Sequence, residues 1–350
     1  MSSFESFPLI IGWELTLACN LRCLHCASSA GAARSDELSE KEALLICDQF
    51  PELLVQEVVF TGGEPLLSPL WMPLARRLRE SGILAGMVTN GTIVTAEVIR
   101  QFRETGIGAI AVSIDGMRQT HDRMRGKTGL HDRLLDGIRR LLDSGIEITL
   151  ITTVNAHNLG ELEAMEHQFR SMGIKRWQLQ PLFVFGRSRQ QTEMQLSAQQ
   201  YLQLGRFIHD RQKSAEPSGM QIMGADGVGY FSELDTHDTV PWTGCSAGVS
   251  TCGIMSNGLV KGCLSWPDSM IEGDLRQDSL WSVWFREGAF SDTRSYTADD
   301  MKETCRGCAM AEECGGGCTT MSIAYTGKPH ANPYCFRHME SAGAAGSSPR

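Results

Sequence analysis

Residues 17–26 read Leu17-Ala18-Cys19-Asn20-Leu21-Arg22-Cys23-Leu24-His25-Cys26, and the spacing C-x3-C-x2-C decides how the chain around it is read. Three thiolates are one short of the four that close an ordinary cubane iron–sulfur cluster. A cluster held here keeps one iron without a protein ligand, and an open coordination position is where a metal site does chemistry. Half of a zinc ribbon is the competing reading, but a ribbon wants two C-x2-C pairs, and this stretch offers one. The triad follows an apolar run, Ile10–Leu17, that reads as a strand.

That strand opens a series. Apolar runs at 10–17, 55–61, 85–89, 108–114, 147–154 and 176–184 are rich in Val, Ile and Thr and bounded by Gly, Asp or Asn. Helical patterns fall between them at 39–50, 70–81, 95–105, 130–144 and 159–172, and Ser39 with Glu42 reads as a capping box. Alternation of this kind predicts a parallel sheet with right-handed crossovers, either doubly wound or closed into a partial barrel. Active sites of such α/β folds sit at the C-terminal ends of strands. Cys19, Gly62-Gly63-Glu64-Pro65, Asn90-Gly91 and Ser113-Ile114-Asp115-Gly116 all fall there.

Bulk properties narrow the class. The chain has 350 residues, 42% hydrophobic and 21% charged, with a formal net charge of −9. Acidity argues against a nucleic-acid partner. No apolar stretch reaches the ~18–20 residues of a membrane span, and Met1–Pro8 lacks a signal peptide's basic and apolar regions. The expectation is a cytoplasmic protein, in which twelve cysteines point to metal rather than disulfides. Three cysteines lie at 19–26, Cys47 stands alone between apolar residues as a small core hydrophobe, and eight fall between 245 and 335.

The cysteine triad, with Gly62-Gly63-Glu64-Pro65 after the second strand, resembles the radical S-adenosylmethionine (SAM) enzymes. The resemblance implies a (β/α)6 partial barrel, open on one side. It implies that the amino and carboxylate groups of SAM chelate the open iron of a [4Fe–4S] cluster on Cys19, Cys23 and Cys26. Reductive cleavage of SAM then gives a 5′-deoxyadenosyl radical that takes hydrogen from a substrate. Gly62, Gly63, Glu64 and Pro65 are the expected contacts for the methionine end, the two glycines letting backbone approach a ligand closely. Asn90, Ser113 and Asp115 are further SAM candidates, although Asp115 could instead cap a turn. One arginine of the segment 121–133 is expected to pair with the SAM carboxylate, and Arg133 is preferred to Arg125. His25 is expected to pack beside the cluster or the cofactor.

The eight later cysteines resemble a SPASM domain, which by the family pattern holds two auxiliary [4Fe–4S] clusters, for three in all. The implied first set is Cys245, Cys252, Cys263 and Cys318, with Cys252 the weakest member; without it that cluster would have an open iron. The implied second set is Cys305, Cys308, Cys314 and Cys335. The alternative, structural zinc, conflicts with the spacing C-x2-C-x5-C-x3-C. Tryptophans 242, 266, 281 and 284 read as packing around these clusters. The expected organisation is a radical SAM barrel over 1–190, a bridge over 191–240 with a helix at 197–213, a SPASM domain over 241–340 and a disordered tail over 341–350.

The resemblance fixes the chemistry better than the substrate. Its leading implication is modification of a ribosomally made peptide, with flavodoxin or ferredoxin as external electron donor. With only nine residues before the first strand, no fused peptide-recognition domain is expected, so a peptide would need a separate leader-binding protein or would bind directly in the barrel mouth. Sulfatase maturases carry an aspartate just after the third ligand of the first auxiliary cluster. Here Leu264 follows Cys263 and the nearest acid is Asp268, which disfavours that activity. Radical chemistry on a small metabolite or tetrapyrrole is the second reading, and a non-enzymatic iron–sulfur carrier or zinc scaffold the third. No catalytic acid or base stands out.

Overall fold

A computed structural model describes residues 6–214, 219–225, 227–236 and 242–345. The six expected strands are present as β1 Ile10–Glu14, β2 Glu57–Thr61, β3 Leu84–Thr89, β4 Ile107–Ser113, β5 Glu147–Val154 and β6 Arg176–Pro181, paired in sequence order and all parallel. Helices α1 Glu40–Cys47, α2 Trp71–Glu80, α3 Ala96–Thr105, α4 Arg118–Arg125, α5 Leu130–Asp143 and α6 Leu162–Ser171 connect them. The Ser39–Glu42 capping box forms at the start of α1. Along α5, Leu134, Ile138 and Leu141 recur at helical spacing and are buried against the sheet. In β5 the side chains alternate strictly between core and cavity faces. Among the described residues no helix is long and apolar enough to cross a membrane.

The sheet does not stop at six strands. After α7 (Ala198–Lys213), strand β7 Gln221–Gly224 adds parallel to the β6 edge. On the other side β8 Thr251–Ile254 adds parallel to β1, and β9 Leu259–Lys261 and β10 Gly273–Asp274 extend it antiparallel. The bridge and the cysteine-rich region therefore each contribute strands to one ten-stranded sheet. Both additions are four residues long with an internal or terminal glycine, too short to stand out as strand patterns. Helices α8 Leu280–Phe285, α9 Ser291–Arg294, α10 Ala311–Cys314, α11 Thr319–Thr326 and α12 Phe336–Ala345 complete the C-terminal region. The expected disordered tail is helical as far as residue 345, and its remainder, 346–350, lies outside the described residues, as do 215–218 and 237–241 of the expected bridge and the domain start.

Candidate functional site

The C-terminal ends of β1–β6 open on a cavity of about 660 Å³. Cys19, Cys23 and Cys26 form its floor, and Gly62, Gly63, Thr89, Asn90, Ser113 and Thr153 supply successive strand ends. The cysteine loop is held from several sides. Cys19 N–H donates to Gly31 O at 3.1 Å and Leu24 N–H to Met124 O at 2.8 Å. Arg187, just beyond β6, donates from Nε to Cys23 O at 3.0 Å and from Nη1 to Ala30 O at 2.8 Å, while its backbone N–H reaches Cys26 O at 3.0 Å. Gly186 beside it has φ +53° and lies so close to Ala27 O that a Cβ would sit 2.2 Å away.

Burial pushes the Cys19 and Cys23 thiols up from their ordinary range, so thiolate character has to come from bound metal. Two donors already face these sulfurs: Asn90 Nδ2 lies 3.9 Å from Cys19 Sγ, and Arg125 Nη1 lies 3.9 Å from Cys23 Sγ. His25 lines the cavity; its Nε2 meets Asp115 at 3.1 Å, while its buried Nδ1 has no partner. An unsatisfied polar atom in a cavity lined by three cysteines fits a site completed by a bound group. The cysteines, the NH donors and the orphaned ring nitrogen thus suit a cluster with its cofactor.

Several expected SAM contacts sit elsewhere. Glu64 is fully buried, outside the cavity lining, and accepts from Thr89 Oγ1 at 2.8 Å, Asn90 N at 2.8 Å and Leu66 N at 3.2 Å. Burial pushes its carboxyl up to about 7 against those donors, and its bonds fix the β3 terminus. Pro65 is buried and starts the following 3-10 turn. The glycines answer to chain packing. Gly63 N–H donates to Thr16 O at 2.7 Å and Glu64 N–H to Ala18 O at 2.9 Å. A Cβ on Gly62 would sit 2.3 Å from Thr16 O, and one on Gly63 2.3 Å from Ala18 O. Gly63→Ala should therefore displace the cysteine loop and cost about 1–3 kcal/mol, read as a lower urea midpoint together with weaker SAM binding in calorimetry.

Arg125, not Arg133, lines the cavity. With Leu130, His131, Leu134 and Leu135 of α5 turned inward, Arg133 falls on the exposed face. Arg125 closes α4, lies buried in the cavity wall, and bonds Asp115 at 2.6 Å. Burial alone would raise the Asp115 carboxyl, but Arg125 and His25 prevail and hold it well below the usual carboxylate range. Asp115 also accepts from Thr153 N at 2.9 Å and is not part of the cavity lining. Its carboxylate anchors Arg125 and His25.

The C-terminal cysteines form two groups. Cys305, Cys308, Cys314 and Cys335 line one cavity of about 310 Å³. Burial, with their mutual repulsion, pushes the Cys314 thiol up to about 12. In the other group, Cys245 bonds Thr319, the residue after Cys318, and lies close enough to feel Cys263, and Thr320 Oγ1 is 3.7 Å from Cys263 Sγ. Cys252 is not brought to them. Its neighbour Gly253 faces Leu264 and Cys263 across the β8 pleat, so Cys252 points to the opposite face, where the charge that acts on it is Arg294. Among the described residues no three His, Cys, Asp or Glu side chains converge as a site for a single metal ion. Of the tryptophans, Trp242 donates to Cys314 O and Trp266 lines the main cavity, but Trp281 is 48% exposed and packs around nothing of the kind.

The far wall of the main cavity was not foreseen. Arg34, Arg189, Lys261, Trp266 and Asp268 line it with Arg187. Residues that follow a strand's C-terminal end, as Arg187 follows β6, or flank a candidate ligand, as Lys261 precedes Cys263, carry the signal that could have found them.

Comparison with known proteins agrees with this geometry. The profile of the radical SAM superfamily matches residues 13–168, and that of the SPASM iron–sulfur cluster-binding domain matches 245–309, together well over half of the chain. The chain is 29% identical to an AdoMet-dependent heme synthase of Methanosarcina barkeri, over 96% of this chain and 98% of that protein. It is 26% identical to an Fe-coproporphyrin III synthase of the same organism, over 97% and 90%. It is 26% identical to the mycofactocin maturase MftC of Mycobacterium tuberculosis, over 96% and 85%. Among solved structures, anSMEcpe with bound AdoMet superposes with a TM-score of 0.75 at 16% identity, covering 97% of this chain and 94% of that one.

Proposed function

Because the chain belongs to the radical SAM superfamily and carries an iron–sulfur cluster-binding SPASM domain, we propose that it removes a hydrogen atom from a tetrapyrrole bearing carboxylate side chains. The peptide reading, which the sequence alone favours, takes second place. The observation that carries the proposal is the charge of the cavity. In a chain of net charge −9, its wall presents Arg34, Arg125, Arg187, Arg189 and Lys261 against Glu14 and Asp268. Arg187 and Arg189 have no acidic partner among the described residues. A cationic wall interleaved with Phe183, Leu264 and Trp266 suits a flat apolar ring with an acidic edge. The heme and coproporphyrin synthases among the relatives support the same class, while the mycofactocin maturase supports the peptide reading.

Cys19, Cys23 and Cys26 would hold the SAM-binding cluster, which with bound SAM supplies a 5′-deoxyadenosyl radical. Asn90 and Arg125 donate toward the cysteine sulfurs, and His25 Nδ1 is free to meet the cofactor. Arg187 fixes the loop that carries the cysteines. The loop after Cys263 closes the same cavity, so the substrate would lie between the SAM site and the first C-terminal cysteine group. That group, Cys245, Cys263 and Cys318, would hold one auxiliary cluster, and the Cys305 group the other. An electron left after an oxidative step would thereby have a short exit.

The test is formation of 5′-deoxyadenosine by the anaerobically reconstituted protein with SAM and a chemical reductant. Iron coproporphyrin III should stimulate it at least ~10-fold over the substrate-free rate, a lowering of the barrier by about 1.4 kcal/mol, and a mycofactocin-type precursor peptide should not. Stimulation by the peptide alone would reverse the choice.

A further inference from the structure

In the wall of the main cavity, a buried cation faces an exposed anion. Lys261 ends β9, which is hydrogen-bonded between β8 and β10, and its side chain is only 4% exposed. Its Nζ donates to Trp266 O at 2.9 Å and to Asp268 Oδ1 at 2.6 Å. A lysine ammonium carries a third proton, and a buried ammonium is stable only when paired. Its only acidic partner among the described residues is Asp268. Asp268 is different in kind: its side chain is 76% exposed, and its only side-chain hydrogen bond among the described residues is the one to Lys261. Lys261 first, and Arg34 beyond it, hold the Asp268 carboxyl below its usual range. Arg34 is already matched by Glu14 at 3.1 Å, which leaves Lys261 as the cation whose partner can be exchanged.

We infer that Lys261 binds a carboxylate of the substrate, and that Asp268 occupies that place when the cavity is empty. On substrate entry the exposed aspartate swings to water and the incoming carboxylate takes its position on Nζ and beside Arg34. No bond is made or broken and charge is conserved on the wall. The exchange selects acids over esters or amides, because only an anion repays the loss of Asp268 from a buried ammonium. It also constrains the ring's orientation, since Lys261 and the three cysteines line one cavity. The inference rests on the tetrapyrrole reading and adds the residue that recognises the acid.

The test is a Soret-band titration of the reconstituted holoenzyme with iron coproporphyrin III and with its methyl ester. Lys261→Met should weaken binding of the acid ~10–100-fold, the worth of one hydrogen bond to a charged group. Asp268→Ala leaves the Lys261 ammonium without its acidic partner until a substrate carboxylate arrives, so variant protein whose circular dichroism matches wild type should bind the acid ~3–10-fold more tightly. Binding of the ester should move less than ~2-fold in both. Unchanged or weakened acid binding in Asp268→Ala overturns the inference even if Lys261→Met does not fold. So do equal shifts for acid and ester, and in either case wild-type porphyrin binding leaves the tetrapyrrole reading standing. Failure of the wild-type protein to bind either porphyrin overturns both.

Discussion

Arg125→Met should destabilise the barrel by about 3–5 kcal/mol, the usual cost of stranding one member of a buried ion pair. Asp115 is fully buried, and Arg125 meets it through both Nε at 2.6 Å and Nη2 at 2.5 Å. Without the guanidinium, the carboxylate keeps only His25 and the Thr153 amide. Methionine fills the space and supplies no charge. The loss extends to the cysteine floor, because Arg125 Nη1 is also the donor nearest Cys23 Sγ, and a cluster on three thiolates adds negative charge beside it. The expected result is a urea midpoint well below wild type in the metal-free protein and incomplete iron retention after reconstitution. Arg133→Met, on the exposed face of α5, should change neither beyond ~0.5 kcal/mol. Equal behaviour of the two variants would remove Arg125 from the site.

The second large effect separates Cys252 from its neighbours. Reconstituted wild-type protein should carry about 12 irons, three cubanes of four. Cys263→Ser should lose about four of them, because Cys263 sits with Cys245 and the start of α11. Cys252→Ser should lose none. Its thiol, pushed up to about 12 by burial, belongs to the helix-facing side of β8 with Arg294, whose guanidinium lies over the Trp284 and Phe290 rings. The first auxiliary group would then have three cysteines and an iron open to other ligands, as on the SAM side. Loss of about four irons in both variants would restore Cys252 as a ligand. Retention of all iron in both, with stoichiometric zinc, would favour a structural metal.

Much of this was legible in residues 10–184. Long apolar runs and amphipathic helices such as α5 declare themselves, and the Ser39–Glu42 box marks a start that the backbone obeys. Helix α4 does not, because Arg118–Arg125 carries one apolar residue, Met124, and otherwise buries Thr120, His121 and Arg125. That helix is what carries Arg125 into the cavity wall, while Arg133 lies on the exposed face of α5. Cys252 matched a spacing, yet the pleat of a four-residue strand decides which way a side chain points, and spacing carries no pleat. Gly62 and Gly63, which line the cavity, also answer a demand that the sequence does not show: they admit the β1 loop. The substrate wall was the least legible. Lys261, Arg34 and Arg187 come from three separate segments that meet only when β8 and β9 join the β1 edge.

The central claim is that hydrogen leaves a tetrapyrrole that bears carboxylate side chains. The most direct measurement is to supply iron coproporphyrin III deuterated at all its carbon-bound positions, with SAM and reductant, and to weigh the 5′-deoxyadenosine formed. Deuterium in the nucleoside is the expected result. Unlabelled 5′-deoxyadenosine, with all deuterium retained in the porphyrin, would contradict it.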